Sequence, residues 1–91
     1  MLKKSTYKIP EGKLVKIYLK EENKKITEIK INGDFFMHPE KAIEKLEKTL
    51  INCALNKKIL INKINLFWKE NKVDCFGINS QGLTKAILLA K

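Results

Sequence analysis

Residues 13–32 read KLVKIYLKEENKKITEIKIN and decide the fold, because apolar and polar side chains alternate along them in two successive runs. Alternation with a period of two is typical of a strand that buries one face. The polar stretch Glu21–Lys24 separates the runs and is short enough to connect antiparallel strands. One face of the two predicted strands carries their β-branched and apolar side chains, which belong to Val15, Ile17, Leu19, Thr27, Ile29 and Ile31.

Beyond the hairpin the apolar period lengthens to three or four residues, which predicts helices. One helix is expected from Pro39 to about Asn52, because proline suits the first helical position. A second is expected from Lys57 to Glu70, although its isoleucines leave a strand open for part of it. The short apolar run Val73–Ile78 is typical of a strand, and Ser80 is a suitable N-cap for a last helix.

Strands followed by helices indicate an α+β fold, here a small antiparallel sheet with two or three α-helices packed on one face. A lone hairpin is only marginally stable, so a third short strand is expected, from residues 5–9 or from residues 73–78. Residues 1–91 are expected to form a single domain, with residues 1–9 as a candidate flexible lead-in.

The chain of 91 residues has a net charge of +9, and all 19 of its cations are lysine. Base-reading proteins depend on the planar fork of arginine, so nucleic acid is not the expected partner. Abundant lysine, isoleucine and asparagine indicate an AT-rich coding bias instead. The apolar runs are too short to cross a bilayer and no apolar export signal is visible, so a cytoplasmic protein is expected.

The sequence offers few residues for catalysis or metal binding. Cys53, Cys75 and the only histidine, His38, are too few for a structural zinc site, and two reduced, largely buried thiols are expected. Asp34 and His38 are four residues apart and would be an acid/base pair only if a nucleophile or cofactor lay nearby. The favoured interpretation is that Asp34 caps the turn backbone and His38 covers the helix start.

Three large apolar residues, Phe35, Phe36 and Met37, follow one another before the first helix. In an extended chain at least one of them must point outward. Either all three pack beneath the helix, or they form an exposed apolar patch for a protein partner, and the second alternative is preferred. Phe67 and Trp68, on the second helix, are expected in the core.

Several stretches together resemble a known family. The matching residues are Glu11–Ile17, Ile29–Glu40, Ile43, Leu46, Glu47 and Phe76–Ile78, in the same order and spacing over about residues 10 to 90. The most specific part is GDFFMHPE, residues 33–40. The chain resembles the small subunit of archaeal two-part lipoate–protein ligases, which corresponds to the C-terminal accessory domain of the one-chain enzymes.

This resemblance implies a role without catalytic residues of its own. A separate catalytic subunit would bind ATP, Mg²⁺ and lipoate, and this chain would bind no cofactor or metal. The pair, a heterodimer, would activate lipoate to lipoyl-AMP and lipoylate a lysine of an acceptor, such as the E2 lipoyl domain or the glycine-cleavage H protein. The implied fold resembles iron–sulfur scaffold and sulfur-transfer accessory proteins, but Cys53 and Cys75 do not reproduce their cysteine cluster.

The stretch of residues 33–40, named here the 33–40 segment, is the candidate partner interface. Its members are Gly33, Asp34, Phe35, Phe36, Met37, His38, Pro39 and Glu40. The sequence predicts that Phe35→Ala with Phe36→Ala weakens association while the domain stays folded.

Two alternatives belong to other functional classes. The chain would be a free-standing basic domain that binds RNA or another protein, with Phe35 and Phe36 available for base stacking. It would otherwise be a cysteine-dependent sulfur or iron–sulfur scaffold.

Overall fold

The computed structural model describes residues 2–90 of the chain, and Met1 and Lys91 lie outside them. Five strands and three helices follow one another within these described residues. In order they are β1 (Lys3–Lys8), β2 (Leu14–Glu22), β3 (Lys25–Gly33), β4 (Phe36–His38), α1 (Ala42–Thr49), α2 (Lys57–Asn71), β5 (Asp74–Phe76) and α3 (Ser80–Leu89). The predicted α+β class is confirmed, with a three-stranded antiparallel sheet in the order β1-β2-β3 and a separate two-stranded ribbon, β4-β5.

The predicted hairpin is confirmed as β2 and β3, whose register places Ile17 opposite Ile31. β2 extends two residues further into the connection than expected, to Glu22, so the turn is reduced to Asn23 and Lys24. These two residues have φ of 54° and 61°. Two consecutive residues with positive φ form a turn whose twist matches that of the flanking strands.

A register shift near the hairpin tip changes which residues of β3 face the core. Lys20 pairs with Glu28, but the next residue, Glu21, pairs with Ile26, so Thr27 is an extra residue on β3. A bulge of this kind reverses the alternation of side chains beyond it. Ile26 is fully buried and Thr27 is exposed, so the predicted placement of Thr27 on the buried face was wrong.

Both stretches considered for a third strand form strands. Lys3–Lys8 pairs along its whole length with β2, and Ser5 Oγ donates a hydrogen bond to the Ala86 carbonyl of α3 at 2.5 Å. The interpretation of residues 1–9 as a flexible lead-in was therefore wrong for residues 3–8, because these residues form strand β1. Within Val73–Ile78, Asp74–Phe76 is strand β5, which pairs with β4 instead of joining the larger sheet.

The first helix is shorter than predicted. α1 begins at Ala42, so the prediction that Pro39 occupies the first helical position was wrong. Pro39 lies in the preceding turn, where its carbonyl accepts a hydrogen bond from the Ala42 N–H at 2.9 Å. The helical pattern of the sequence is nevertheless confirmed, because Leu46 and Leu50 are fully buried.

The second and third helices are confirmed, with one change of cap. α2 runs from Lys57 to Asn71, one residue beyond the predicted end. The cap of α3 is Asn79, whose Oδ1 accepts a hydrogen bond from the Gly82 N–H at 2.6 Å, whereas Ser80 is the first helical residue. The amide oxygen of Asn79 therefore has the role that the sequence assigned to Ser80.

The core lies between one face of the three-stranded sheet and the three helices. α3 packs against β1 and β2, α1 packs against β3, and α2 contacts both other helices. The fully buried side chains of these layers include Val15, Ile17, Leu46, Leu60, Ile64, Leu83 and Ile87. Phe67 is buried and Trp68 is partly buried against this core, as expected. Within residues 2–90, none of the helices combines the length and apolar character that a membrane span requires.

Candidate functional site

The 33–40 segment contributes one strand of the β4-β5 ribbon. The register of the ribbon places Phe36 opposite Phe76, Met37 opposite Cys75, and His38 opposite Asp74. Residues directly opposite in an antiparallel pair point to the same face. The ribbon therefore has an inner face with Met37 and Cys75 and an outer face with the two phenylalanines, His38 and Asp74.

The outer face presents two aromatic rings side by side. Phe36 is 73% exposed and Phe76 is 70% exposed, the two highest values among the large apolar side chains described. Aromatic rings held at this exposure on neighbouring strands are typical of protein–protein contact sites. We name Phe36 and Phe76 the aromatic pair.

The other two members of the apolar triplet are part of the core. Phe35 is 9% exposed and Met37 is 4% exposed. The expectation that at least one of the three residues points outward is confirmed, and that residue is Phe36. Phe35 and Met37, both expected at the partner surface, instead hold the ribbon to the domain. The prediction that the domain stays folded in the Phe35→Ala, Phe36→Ala variant must therefore be corrected, because loss of the buried Phe35 ring would leave a destabilising cavity.

The rest of the segment is exposed, and its backbone is fixed at the start. The Asp34 N–H donates a hydrogen bond to the Leu14 carbonyl at 3.0 Å. Gly33 has φ of 154°, and a Cβ added to it would lie 2.2 Å from the same Leu14 oxygen. Glycine is required here because the backbones of β2 and β3 approach so closely. Gly33, Asp34, His38, Pro39 and Glu40 are all exposed.

The ribbon gives His38 a carboxylate neighbour other than Asp34, the residue that the sequence analysis considered. The carboxylate that the ribbon register places opposite His38 belongs to Asp74. The part of Asp34 that holds the loop is its backbone N–H, whereas a side-chain cap was expected. The arrangement therefore places a carboxylate and an imidazole beside the aromatic pair, at the surface of the ribbon.

β5 is anchored at the same end of the ribbon as β4, the end where Phe36 and Phe76 are paired. The Lys13 N–H, next to the start of β2, donates a hydrogen bond to the Gly77 carbonyl at 2.8 Å. Gly77 has φ of 85°, and a Cβ there would lie 2.3 Å from Cγ of Lys13. With Asp34 bonded to Leu14, both strands of the ribbon are anchored at the start of β2. The aromatic pair is therefore held in a fixed position relative to the core.

The two cysteines, Cys53 and Cys75, form no disulfide and are half-buried, which places them nearer the surface than expected. The Cys53 thiol donates a hydrogen bond to the Thr49 carbonyl at 3.6 Å. Burial, and to a smaller extent the negative charge of Asp74, raise the pKa of the Cys75 thiol from 9.0 to about 11. Cys75 is therefore protonated at neutral pH, and its thiol is a poor nucleophile. Within residues 2–90, no three His, Cys, Asp or Glu side chains are grouped so as to hold a metal ion.

The lysines of the N-terminal third lie mainly on the sheet face opposite the helices and at the hairpin tip. Lys16, Lys20 and Lys30 are exposed on strands β2 and β3. Lys20 forms an ion pair with Glu28 at 3.3 Å, and Lys4 lies 5.9 Å from the ring centre of Tyr18. Most of these charges remain solvated and would attract an acidic surface over a distance of about 8 to 10 Å at physiological salt.

Comparison with known proteins gives the family of the chain. The family model described as the C-terminus of bacterial lipoate protein ligase matches residues 4–87. The chain belongs to this ligase C-terminal family. The match includes the three-stranded sheet, the ribbon and most of α3, so it covers the aromatic pair as well as the core.

A solved structure from an archaeon is similar to this chain over nearly its whole length. The ligase C-terminal domain described here is 30% identical, with a TM-score of 0.80, to a chain from an archaeal lipoylation system of Thermoplasma acidophilum. That work describes a bi-partite lipoate protein ligase and its E2 lipoyl domain. The similarity covers 96% of this chain and 94% of that one, so the two chains are similar in length. No curated protein sequence matches the chain significantly.

The aromatic pair was only half visible in the sequence. The triplet of apolar residues identified Phe36, whereas Phe76 was named only within a short predicted strand and among the residues that resemble the family, and not as a surface residue. The one available signal was the alternation in Asp74, Cys75 and Phe76, which places Phe76 on the face opposite Cys75. Its partner strand is 36 residues away at the closest, and that distance prevents a local pattern from revealing the pair.

Proposed function

We propose that this chain is the accessory subunit of a two-part lipoate–protein ligase and that it supplies no catalytic residue. The observation that carries the proposal is the end-to-end similarity, at 30% identity, to a chain of similar length in the bi-partite system of Thermoplasma acidophilum. The family match over residues 4–87 agrees with it. A separate catalytic subunit holds ATP, Mg²⁺ and lipoate and forms lipoyl-AMP, and the lipoyl group then passes to a lysine of the acceptor.

The accessory chain acts by binding one conformation of the catalytic subunit more tightly than another. A ligand shifts a conformational equilibrium only by its difference in affinity for the two states. Changing a population from 1:99 to 99:1 requires about 5.5 kcal/mol of such preference. A contact centred on two fully buried aromatic side chains contributes about 2 to 4 kcal/mol for each hot-spot residue, so this order of magnitude is attainable.

The aromatic pair is the centre of the proposed contact with the catalytic subunit. Phe36 and Phe76 are exposed, adjacent and fixed to the core through the hydrogen bonds at Leu14 and Gly77. A preorganised apolar surface loses little conformational entropy on binding, which favours affinity. His38 and Asp74, beside the pair, form the polar rim of the same contact, and the exposed residues Pro39 and Glu40 extend it toward α1.

The acceptor contacts are transient and belong to the assembled ligase. The Thermoplasma acidophilum system includes an E2 lipoyl domain, which supports a lipoyl domain as one acceptor for the assembly proposed here. The glycine-cleavage H protein is proposed as the second. The net charge of +9 favours encounter with acidic partners, since complementary charge mainly raises the rate of association. The proposed location is the cytoplasm.

The test is an adenylation assay with separately purified subunits. The catalytic subunit is incubated with ATP, Mg²⁺ and lipoate, and lipoyl-AMP and pyrophosphate are measured with and without this chain. The expected result is product formation that saturates with added chain at an equimolar ratio. The matched control is the Phe36→Ala, Phe76→Ala variant, which should restore little activity at the same concentration. Full lipoyl-AMP formation by the catalytic subunit alone would contradict the proposal.

The excess of lysine supports RNA binding as a second candidate, because the net charge is +9 and the outer face of the sheet is basic. A titration of single-stranded RNA at two salt concentrations separates the candidates. Micromolar binding at physiological salt, weakened steeply by more salt, would favour the RNA-binding domain. The ligase proposal expects no such binding.

A further inference from the structure

The turn that connects β1 to β2 packs directly against the ribbon. We name residues 9–13 the 9–13 turn. Its Lys13 N–H donates a hydrogen bond to the Gly77 carbonyl at 2.8 Å, and Gly77 directly follows Phe76 of the aromatic pair. A Cβ added to Gly12 would lie 2.9 Å from the same Gly77 oxygen. The turn therefore contacts the ribbon next to an exposed ring of the proposed subunit contact.

The 9–13 turn is held in one conformation by its own hydrogen bonds. The Gly12 N–H donates to the Ile9 carbonyl at 2.8 Å, and the Ile9 N–H donates to the Lys13 carbonyl at 3.1 Å. The Lys8 ammonium group donates to the Gly12 carbonyl at 2.6 Å and to the Ile9 carbonyl at 3.1 Å. Glu11 has φ of 61°, a conformation that a residue other than glycine keeps only where its surroundings fix it. The turn is therefore a rigid support.

The same turn is anchored in the core. Ile9 is 2% exposed. A Cβ added to Gly82, in the first turn of α3, would lie 2.6 Å from Cδ1 of Ile9, so the Ile9 side chain packs against the start of that helix. The ribbon is a separate two-stranded unit, and two strands alone are only marginally stable. Its position relative to the core therefore depends on contacts at its ends, and the 9–13 turn supplies those of β5.

We propose that Gly12 and Lys8 are positioning residues for the contact with the catalytic subunit, and that they act on the aromatic pair through Gly77. Gly12 lets the turn approach closely enough for the Lys13 hydrogen bond, and Lys8 holds the turn in that position. A ring that is already ordered loses less conformational freedom on binding, so a displaced turn lowers the affinity although the contact residues are unchanged. This inference rests on the proposed function.

The first test is Gly12→Ala, whose added Cβ would lie 2.9 Å from both the Gly77 oxygen and Cγ2 of Ile9. Both distances are shorter than a real Cβ contact, so the turn has to move away from the ribbon. Amide hydrogen exchange in NMR spectra reports the Lys13 N–H of the free chain, and isothermal titration calorimetry gives the dissociation constant with the catalytic subunit. Exchange at Lys13 should be about tenfold faster and the dissociation constant about three- to tenfold larger, the usual worth of one hydrogen bond.

A core variant separates positioning from a general loss of stability. Ile64→Val removes one methyl group from a fully buried position of α2, which packs against the other two helices, and it lowers the free energy of unfolding in urea. It should change neither Lys13 exchange nor the dissociation constant. Equal weakening of binding by Ile64→Val and Gly12→Ala would overturn the proposal. Wild-type affinity in a Gly12→Ala chain, whether or not its Lys13 amide exchanges faster, would overturn it as well.

A surface variant tests the turn without a steric clash and keeps the chain folded. Lys8 is exposed, and Lys8→Gln removes the ammonium group that holds the turn. Lys13 exchange should become faster and the dissociation constant about threefold larger. Lys8→Arg keeps a cationic donor and should restore both values. The matched control, Lys16→Gln, removes the same charge from another exposed position and should change neither. Equal weakening by Lys8→Gln and Lys16→Gln would assign the effect to net charge and overturn the role of Lys8.

The wild-type chain shows which of the two proposals fails. A wild-type chain that neither binds the catalytic subunit nor supports lipoyl-AMP formation would contradict the proposed function itself. A wild-type chain that does both, with the same affinity in the Gly12→Ala and Lys8→Gln variants, would overturn only the positioning role of the 9–13 turn.

Discussion

Replacing the aromatic pair by alanine should weaken association with the catalytic subunit without unfolding the domain. Phe36 and Phe76 are 73% and 70% exposed, so each leaves about 140 Å² of a side chain of roughly 200 Å² available to a partner. At about 25 cal/mol per Å², complete burial of one ring is worth at most about 3.5 kcal/mol. Incomplete burial and lost side-chain freedom reduce this, so we expect about 2 kcal/mol for each single substitution.

The expected result is a dissociation constant about 30-fold larger for Phe36→Ala and for Phe76→Ala. The double variant should lose less than the sum of the two, because neighbouring residues of one contact are not additive. Isothermal titration calorimetry with the purified catalytic subunit measures both. The free energy of unfolding, from urea denaturation of each variant, should change by less than about 1 kcal/mol, the usual worth of an exposed cross-strand pair.

Two controls make the result interpretable. Leu66→Ala removes a 52% exposed leucine from α2 and should leave the dissociation constant unchanged. Met37→Ala, on the inner face of the ribbon, should lower the free energy of unfolding by about 2 to 5 kcal/mol. A double variant of the aromatic pair that is folded and binds with wild-type affinity would refute the assignment of the ribbon as the contact.

Three further predictions concern single residues. Alkylation of Cys75 by iodoacetamide should be slow at pH 8, and its rate should rise toward an inflection near the thiol pKa of about 11. Because burial and Asp74 raise that pKa above 9.0, the stability contributed by the protonated thiol is fully present below pH 9 and is lost as the pH rises through about 11. A rate inflection near pH 8 would contradict the buried position of Cys75. Thr84→Val should increase the free energy of unfolding, measured by urea denaturation, by about 1 kcal/mol, because it removes a buried hydroxyl without a hydrogen-bond partner. A decrease of about 1 kcal/mol instead would show that the hydroxyl forms a hydrogen bond. Gly33→Ala should lower the melting temperature by several degrees, corresponding to about 1 to 3 kcal/mol, because the added Cβ would lie 2.2 Å from the Leu14 oxygen. An unchanged melting temperature would mean that β2 and β3 can separate there at no cost.

Local patterns in the sequence were sufficient for most of the secondary structure. The hairpin followed from the alternation around Ile17 and Ile31, and α2 followed from Leu60, Ile64 and Phe67 at helical spacing. Both signals are produced by neighbours within one element, so they are present in the sequence before any tertiary contact forms.

The errors occurred where a neighbouring strand or turn changed the pattern. The bulge opposite Lys20 and Glu21 moved Ile26 into the core and Thr27 to the surface, although strict alternation predicts the reverse. At Pro39, where the sequence predicts the first helical turn, the chain forms an irregular turn, because strand β4 pairs with β5 immediately before it and α1 begins only at Ala42.

The candidate site was predicted in part. The triplet at residues 35–37 required that one large apolar side chain be exposed, and Phe36 is that residue. Nothing local indicated that Phe76 would lie beside it, since their proximity arises from the pairing of strands separated by α1 and α2.

By itself, the sequence determined the α+β class, the hairpin, the helical faces and the presence of one exposed aromatic residue before α1. These properties depend on side-chain periodicity and on the geometry of an extended chain, which are local. Only the tertiary structure decided that Phe76 completes the aromatic pair and that both strands of the ribbon are anchored at the start of β2. Both depend on contacts between residues far apart in the chain, and the free energy of forming such contacts is set by the packing of the whole core.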